Sequence, residues 1–254
     1  MIRPNIQERF YRMIPGGFPS RAALTLALFA CQPGMVWAAA WSDTSFANGD
    51  WSSQQLTVTG STDPGATYAS GQAGTGGNPG AYRETTQTYR GPNLGIAVAH
   101  WAANELYDPG VSGAIGGFSF SFDLAFFNYP GSCCGPSFAV GYAPLLVQNG
   151  NFFRGNSVLT VSPAWASFSL PDQAAADFVL VNGTDNPDFS AAGGPIMLGY
   201  ITFNGTSTAS ETSTTSGLDN WVVSTVDIPE PASLGTLAAA LTVLGAWRRR
   251  ERRG

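Results

Sequence analysis

The chain predicts an all-β protein: a single antiparallel β-sandwich of jelly-roll type, set between two terminal segments that do not join its core. Three observations carry this. Phe118, Phe120, Phe122 and Leu124 alternate strictly with Ser119, Ser121 and Asp123, the period-two signature of a strand with one buried face. Clusters of Gly, Pro, Asn and Asp at 74–80, 108–117, 182–188 and 193–195 punctuate short runs rich in aromatic and β-branched residues. Between residues 41 and 226 no stretch holds a helical apolar period, apart from a short turn at 172–176.

Taken in order, the elements begin with a leader. Arg3, Arg9, Arg12 and Arg21 stand against a single acid, Glu8, and residues 22–30 (AALTLALFA) form an apolar stretch. Ala38 and Ala40 supply the small-x-small pattern of a cleavage site. Residues 1–40 therefore read as a signal peptide cut after Ala40, with Met13 an alternative start. A lipoprotein reading centred on Cys31 competes, although Phe29 is bulky for it.

Residues 41–226 form the expected sandwich domain. Besides 118–124, strand-like runs fall at 55–59, 81–89, 96–101, 138–147, 157–161, 165–170, 178–181, 196–203 and 218–226. About ten short strands in one domain argue a sandwich. Residues 207–216 are rich in Ser and Thr and read as an exposed loop or edge. Trp41, Trp51, Trp101, Trp165 and Trp221 are mostly core by expectation, since large aromatics supply much of the buried area.

Charge narrows the function. The chain has no Lys, and between the terminal segments only Arg83, Arg90 and Arg154 are basic against fourteen acidic residues. Such a surface excludes nucleic-acid binding, because nothing neutralises phosphates. Cys133 and Cys134 are adjacent. They stay open between two thiols in a turn, a vicinal disulfide, and intermolecular pairing or metal capture. His100 is the sole histidine, with no GxSxG elbow, and reads as structural. Glu84, Glu105 and Asp123, beside Tyr82, Trp101 and Tyr107, are the residues a glycoside hydrolase would draw on; any acidic β-protein offers such pairs, and the reading is not an enzyme. The one cofactor the composition admits is a structural calcium ion, which takes oxygen ligands. Asp219, beside Asn220, leads as ligand because the last strand of a jelly roll runs beside an N-terminal segment carrying Asp43, Asn48 and Asp50. Asp185 and Asp188 follow, in a loop whose Asp and Asn also serve as turn formers.

The C-terminal segment, residues 227–254, has three parts in series. Pro229, Glu230 and Pro231 keep the chain extended. Residues 232–247 are apolar and span roughly 24 Å as a helix at about 1.5 Å per residue, short against a bilayer core of about 30 Å. Arg248, Arg249, Arg250, Arg252 and Arg253 then hold the end on the cytoplasmic side. A plain C-terminal anchor after a Pro-rich linker is the competing reading.

This order of Pro229-Glu230-Pro231, apolar segment and Arg cluster resembles the PEP-CTERM sorting signal of Gram-negative bacteria. The resemblance implies recognition by an exosortase, transient anchoring in the inner membrane, removal of the tail, and delivery to the cell surface or an extracellular polysaccharide matrix. Residues 76–83, 194–200 and 218–223 are similar to bacterial secreted β-sandwiches of laminin-B-like or carbohydrate-binding jelly-roll type. That second resemblance implies a fold and a glycan or surface role, and no active site. The expectation is an exported structural or adhesive protein, with a carbohydrate-binding module as first alternative and a glycoside hydrolase as second.

Overall fold

The computed structural model describes residues 38–56, 66–89, 94–128, 139–206 and 211–228. The leader before Ala38, Arg90, Cys133 and Cys134, the Pro229-Glu230-Pro231 motif and the Arg cluster lie outside the described residues. In chain order the elements are β1 (Ala40–Asp43), β2 (Trp51–Leu56), β3 (Thr67–Gly77), β4 (Gly80–Tyr89), β5 (Leu94–Tyr107), α1 (Pro109–Ser112), β6 (Ile115–Asn128), β7 (Val140–Gln148), β8 (Asn151–Arg154), β9 (Val158–Thr160), β10 (Ala166–Gln173), a 3₁₀ turn (Ala175–Asp177), β11 (Val179–Leu180), β12 (Ile196–Thr206) and β13 (Thr212–Asp227). They build an antiparallel β-sandwich within the compact unit Val36–Ile228.

One sheet runs β10-β6-β13-β4-β3, with β1 added to β13 beyond the end of β4. The other runs β11-β8-β7-β12-β5-β2, with β9 on β7. The alternation in β6 does what the sequence predicts. Phe118, Phe120, Phe122, Leu124 and Phe126 enter the core between the sheets, where they meet Tyr142, Leu146, Leu198, Tyr200, Trp221 and Val223. Ser119, Ser121 and Asp123 face the other way.

Four expectations on element placement are corrected. Residues 212–216 are neither loop nor edge; they begin β13, which lies between β6 and β4. Thr212, Thr214 and Ser216 are buried there, because hydroxyls can enter a core when partnered: Tyr142 Oη donates to Ser216 Oγ at 2.8 Å, and Asn204 Nδ2 to Thr214 Oγ1 at 3.1 Å. The Gly-rich residues 74–77 extend β3 into a hairpin with β4, the turn being Asn78-Pro79. The short helix α1 forms inside 108–117, its first turn capped by Asp108 Oδ1, which accepts from Gly110 N–H. The turn expected at 172–176 is a single 3₁₀ turn three residues later.

The middle of the second sheet carries apolar side chains on its outer face as well as on its inner one. β7 is buried at every residue. Its outward members Ala143, Leu145 and Val147 join Ala97, Ala99 and Ile201 in a separate cluster on the face away from the core. A near-continuous apolar run such as Val140–Val147 is what a strand buried on both sides requires.

Candidate binding cleft

Two segments far apart in sequence make a cleft where β1, β2 and β5 meet. β2 pairs with β5, placing Trp51 opposite Ala102. β1 pairs with β13, placing Asp43 opposite Trp221. The link between β1 and β2 turns sharply at Phe46, whose φ is 52°. Asp43 fixes this turn as an Asx motif. Its Oδ1 accepts from Ser45 N–H at 2.7 Å, Phe46 N–H at 2.8 Å and the Ser45 hydroxyl at 2.9 Å. Its Oδ2 accepts from the Trp51 indole N–H at 2.7 Å.

The resulting cavity has a volume of about 310 Å³ and is lined by Ser42, Asp43, Ser45, Asp50, Trp51, Ala102, Asn104 and Glu105. Trp51 is its buried floor; Ser42, Ser45, Asp50 and Asn104 are exposed on its walls. The carboxylates differ in character. Burial works against ionisation of Asp43, but the hydrogen bonds from Trp51, Phe46 and Ser45 together hold it below the usual carboxylate range. Burial, and then the charges of Asp43 and Asp50, push the Glu105 carboxyl up. The walls therefore offer acceptors, hydroxyls and one amide, and every oxygen of Asp43 is already engaged. An aspartate held this way positions the floor, with Oδ2 committed to the Trp51 indole.

A second polar cluster lies on the outer face of the other sheet. Asp219 and Asp123 are cross-strand partners on β13 and β6. Asp219 Oδ1 accepts from Asn220 N–H at 2.7 Å, and Oδ2 from Asn78 N–H. Asp123 Oδ2 accepts from Asn220 Nδ2 at 2.7 Å and Asn78 Nδ2 at 3.0 Å. For Asp123, burial is outweighed by hydrogen bonds from Ser167, Asn220 and Asn78, and its acidity is strengthened. This clasp ties the β3–β4 turn to the bulge in β13, where Asn220 has φ 50°. Beside it Tyr82, Phe127 and Trp165 pack with ring centroids 5.3–5.4 Å apart.

The residues singled out from sequence are placed as follows. The last strand does run beside the N-terminal segment, but Asp219 spends its oxygens on amide donors. Asp188 belongs to another region, where its N–H donates to Gln148 Oε1 at 2.8 Å and its carboxylate caps Ser190 N–H at 2.9 Å. Asp185 contributes its main-chain carbonyl, which accepts from Leu180 N–H. The structure does not bring Asp219 together with Asp185 and Asp188, and no group of three His, Cys, Asp or Glu suited to a metal occurs among the described residues. Glu84 and Asp123 lie on the first sheet's outer face, Glu105 in the cleft. His100 is fully buried and stacks on Tyr200 at 4.6 Å between centroids. Ala38 and Ala40 stand at the exposed start of β1. Trp51 and Trp221 are core; Trp41, Trp101 and Trp165 are half-buried. Sequence reasoning missed the cleft as a site. Its one local signal was the Asp43-Thr44-Ser45 step before Trp51; Asn104 and Glu105 join only through the β2–β5 pairing.

No family model matches this sequence, and no curated protein matches it. Among solved structures the chain is similar to a family 11 carbohydrate-binding module from Clostridium thermocellum, solved with a β-1,3-1,4-mixed-linked tetrasaccharide (TM-score 0.40, 13% identity, covering 75% of this chain and 97% of that one). It is also similar to the C-terminal family 22 module of Clostridium thermocellum Xyn10B (TM-score 0.37, 14% identity, 78% and 100%) and to the mannan-recognising module TmCBM27 (TM-score 0.39, 10% identity, 74% and 98%). The likeness is loose in both sequence and superposition.

Proposed function

We propose that this protein is an exported, non-catalytic glycan-binding sandwich, and that the cleft between β1, β2 and β5 holds a short stretch of polysaccharide. The observation that carries the reading is the cleft's lining: carboxylates, hydroxyls and an amide around a tryptophan floor, in a volume at the lower end of small-ligand sites. Sugar hydroxyls donate to such carboxylates in charge-assisted hydrogen bonds, the stronger class. Asn104 both donates and accepts, which suits a ligand with both roles on every hydroxyl. Holding a polysaccharide is also how a surface protein would serve as an adhesive component of a matrix. The basic leader and the Pro229-Glu230-Pro231 tail support export, passage through the inner membrane and exosortase processing.

A glycan array probed with the protein tests the reading. Asn104→Ala and Glu105→Gln should each weaken the best ligand at least tenfold while leaving the melting temperature within about 2 °C, since Asn104 is exposed and Glu105→Gln keeps the size of a half-buried side chain. Absence of any bound glycan, or full binding by both variants, would reject it.

A further inference from the structure

Strand β4 turns Arg83, Thr85 and Gln87 toward the interior, where a sandwich ordinarily carries aliphatic side chains. Arg83 is 3% exposed. Its Nη1 donates to Asn48 Oδ1 at 3.0 Å, while its buried Nε meets no acceptor. The partner described for it is a neutral amide oxygen, not a carboxylate. A guanidinium keeps its proton at any working pH and has no acceptor of its own.

The surroundings sharpen the imbalance. Thr85, next along the same face of β4, lies 3.5 Å from His100 Nε2. Tyr200 stacks on that imidazole and brings its hydroxyl near Thr85 and Arg83. The hydroxyl is buried without a hydrogen-bond partner. Trp51 packs against Tyr200 at 5.6 Å and against Trp221 at 5.3 Å, and the Trp221 indole N–H is a third buried donor without an acceptor. His100 supplies no compensating charge: burial, then the Arg83 charge, push its pKa down to about 3, so it is neutral.

We propose that this layer binds a small monovalent anion of the halide class, held by Arg83 Nε–H and the Tyr200 hydroxyl. The three orphan groups can all donate, and two of them can do nothing else. Buried donors and buried charges both demand a partner. A water molecule would accept a hydrogen bond but would bring no charge, and its own two protons would need acceptors. A halide meets both demands. The site is internal and separate from the cleft, so it stands whether or not the cleft binds sugar.

The test uses the full chain melted in sodium chloride and in sodium gluconate at equal ionic strength, with bromide-soaked crystals for anomalous diffraction. Chloride should raise the melting temperature by several degrees over gluconate, and bromide should sit within hydrogen-bond distance of Arg83 Nε. Tyr200→Phe, which keeps the stacked ring and removes one donor, should raise the chloride concentration for half-maximal stabilisation at least threefold. Equal melting in the two salts, a water in place of bromide, or an unchanged chloride midpoint in Tyr200→Phe would each overturn the proposal. Because Arg83→Gln can unfold the sandwich outright, the reading rests on the wild type and Tyr200→Phe.

Discussion

At Gly217 a missing side chain makes room for three rings. A Cβ at this position would lie 2.7 Å from Trp165 Cη2 and 2.8 Å from both Phe127 Cε2 and Tyr82 Cδ2. The backbone there is ordinary strand, so the constraint is space and not φ. The rings close over the strand because nothing stands between them, and the Trp165 indole N–H then reaches the Gly76 carbonyl at 2.9 Å, tying the β3–β4 hairpin to the sheet. Gly217→Ala should therefore destabilise the domain by about 1–3 kcal/mol, the usual cost of overpacking. Urea titration followed by tryptophan fluorescence would measure it. A variant as stable as the wild type would show that the trio yields freely.

At the scale of the element, β6 is the clearest case of pattern becoming structure. Phe120 is 1% exposed, and Ser121 sits on the opposite face opposite Ser169 of β10. Phe120→Asp should cost several kcal/mol by placing an unpaired charge in the core, whereas Ser121→Asp should cost about 0.5. Equal melting shifts for the two would contradict the observed facing. This strand was legible because its polar and apolar residues alternate strictly over 118–124. The first half of β13 was not, because Thr and Ser occupy both its faces and only their partners, Tyr142 and Asn204, decide which side is buried. β4 was found as the run 81–89, but its facing was not legible, because Arg83, Thr85 and Gln87 are the residues that point inward. β1, β3 and β8 were missed altogether, being short or made of Gly, Ala and Ser. The cleft was illegible for another reason. Its halves lie about fifty residues apart, and register, which hydropathy alone does not fix, brings them together.

At the scale of the whole molecule, buried ionisable groups set the response to acid. In the folded protein His100 stays neutral down to about pH 3, whereas a free imidazole takes its proton near 6.5. Between those values the unfolded chain binds more protons, so stability falls as pH falls, by up to about 1.4 kcal/mol per pH unit. Above 6.5 His100 contributes no pH dependence. Asp43 and Asp123, strengthened as acids by folding, add a loss of the same sign only below about 3.8. Glu105, weakened as an acid, acts with the opposite sign above about 4.5. Glu105 is common to both proteins, so a comparison of the wild type with His100→Gln from pH 6.5 to 5.5 isolates the histidine. Urea melts across this interval should show declining stability in the wild type and a flatter profile in His100→Gln. A wild-type profile flat across that interval would mean that His100 is not held neutral.

The pairing of β1 with β13 decides how the domain carries mechanical load. Ala40 lies opposite Ser224, and Ala39 N–H donates to Thr225 Oγ1 at 2.9 Å, so the first and last described strands part from the same edge. Tension drawn between these two ends would peel β1 from β13 one hydrogen bond at a time, the weakest way to open a ladder. Tension entering at Asp227 alone runs along β13, which is bonded to β6 on one side and to β4 and β1 on the other. Those bonds lie across the strand and must shear together before it slips. Held by its C-terminal end and pulled at the far end of β13, the sandwich meets force in its stiff direction.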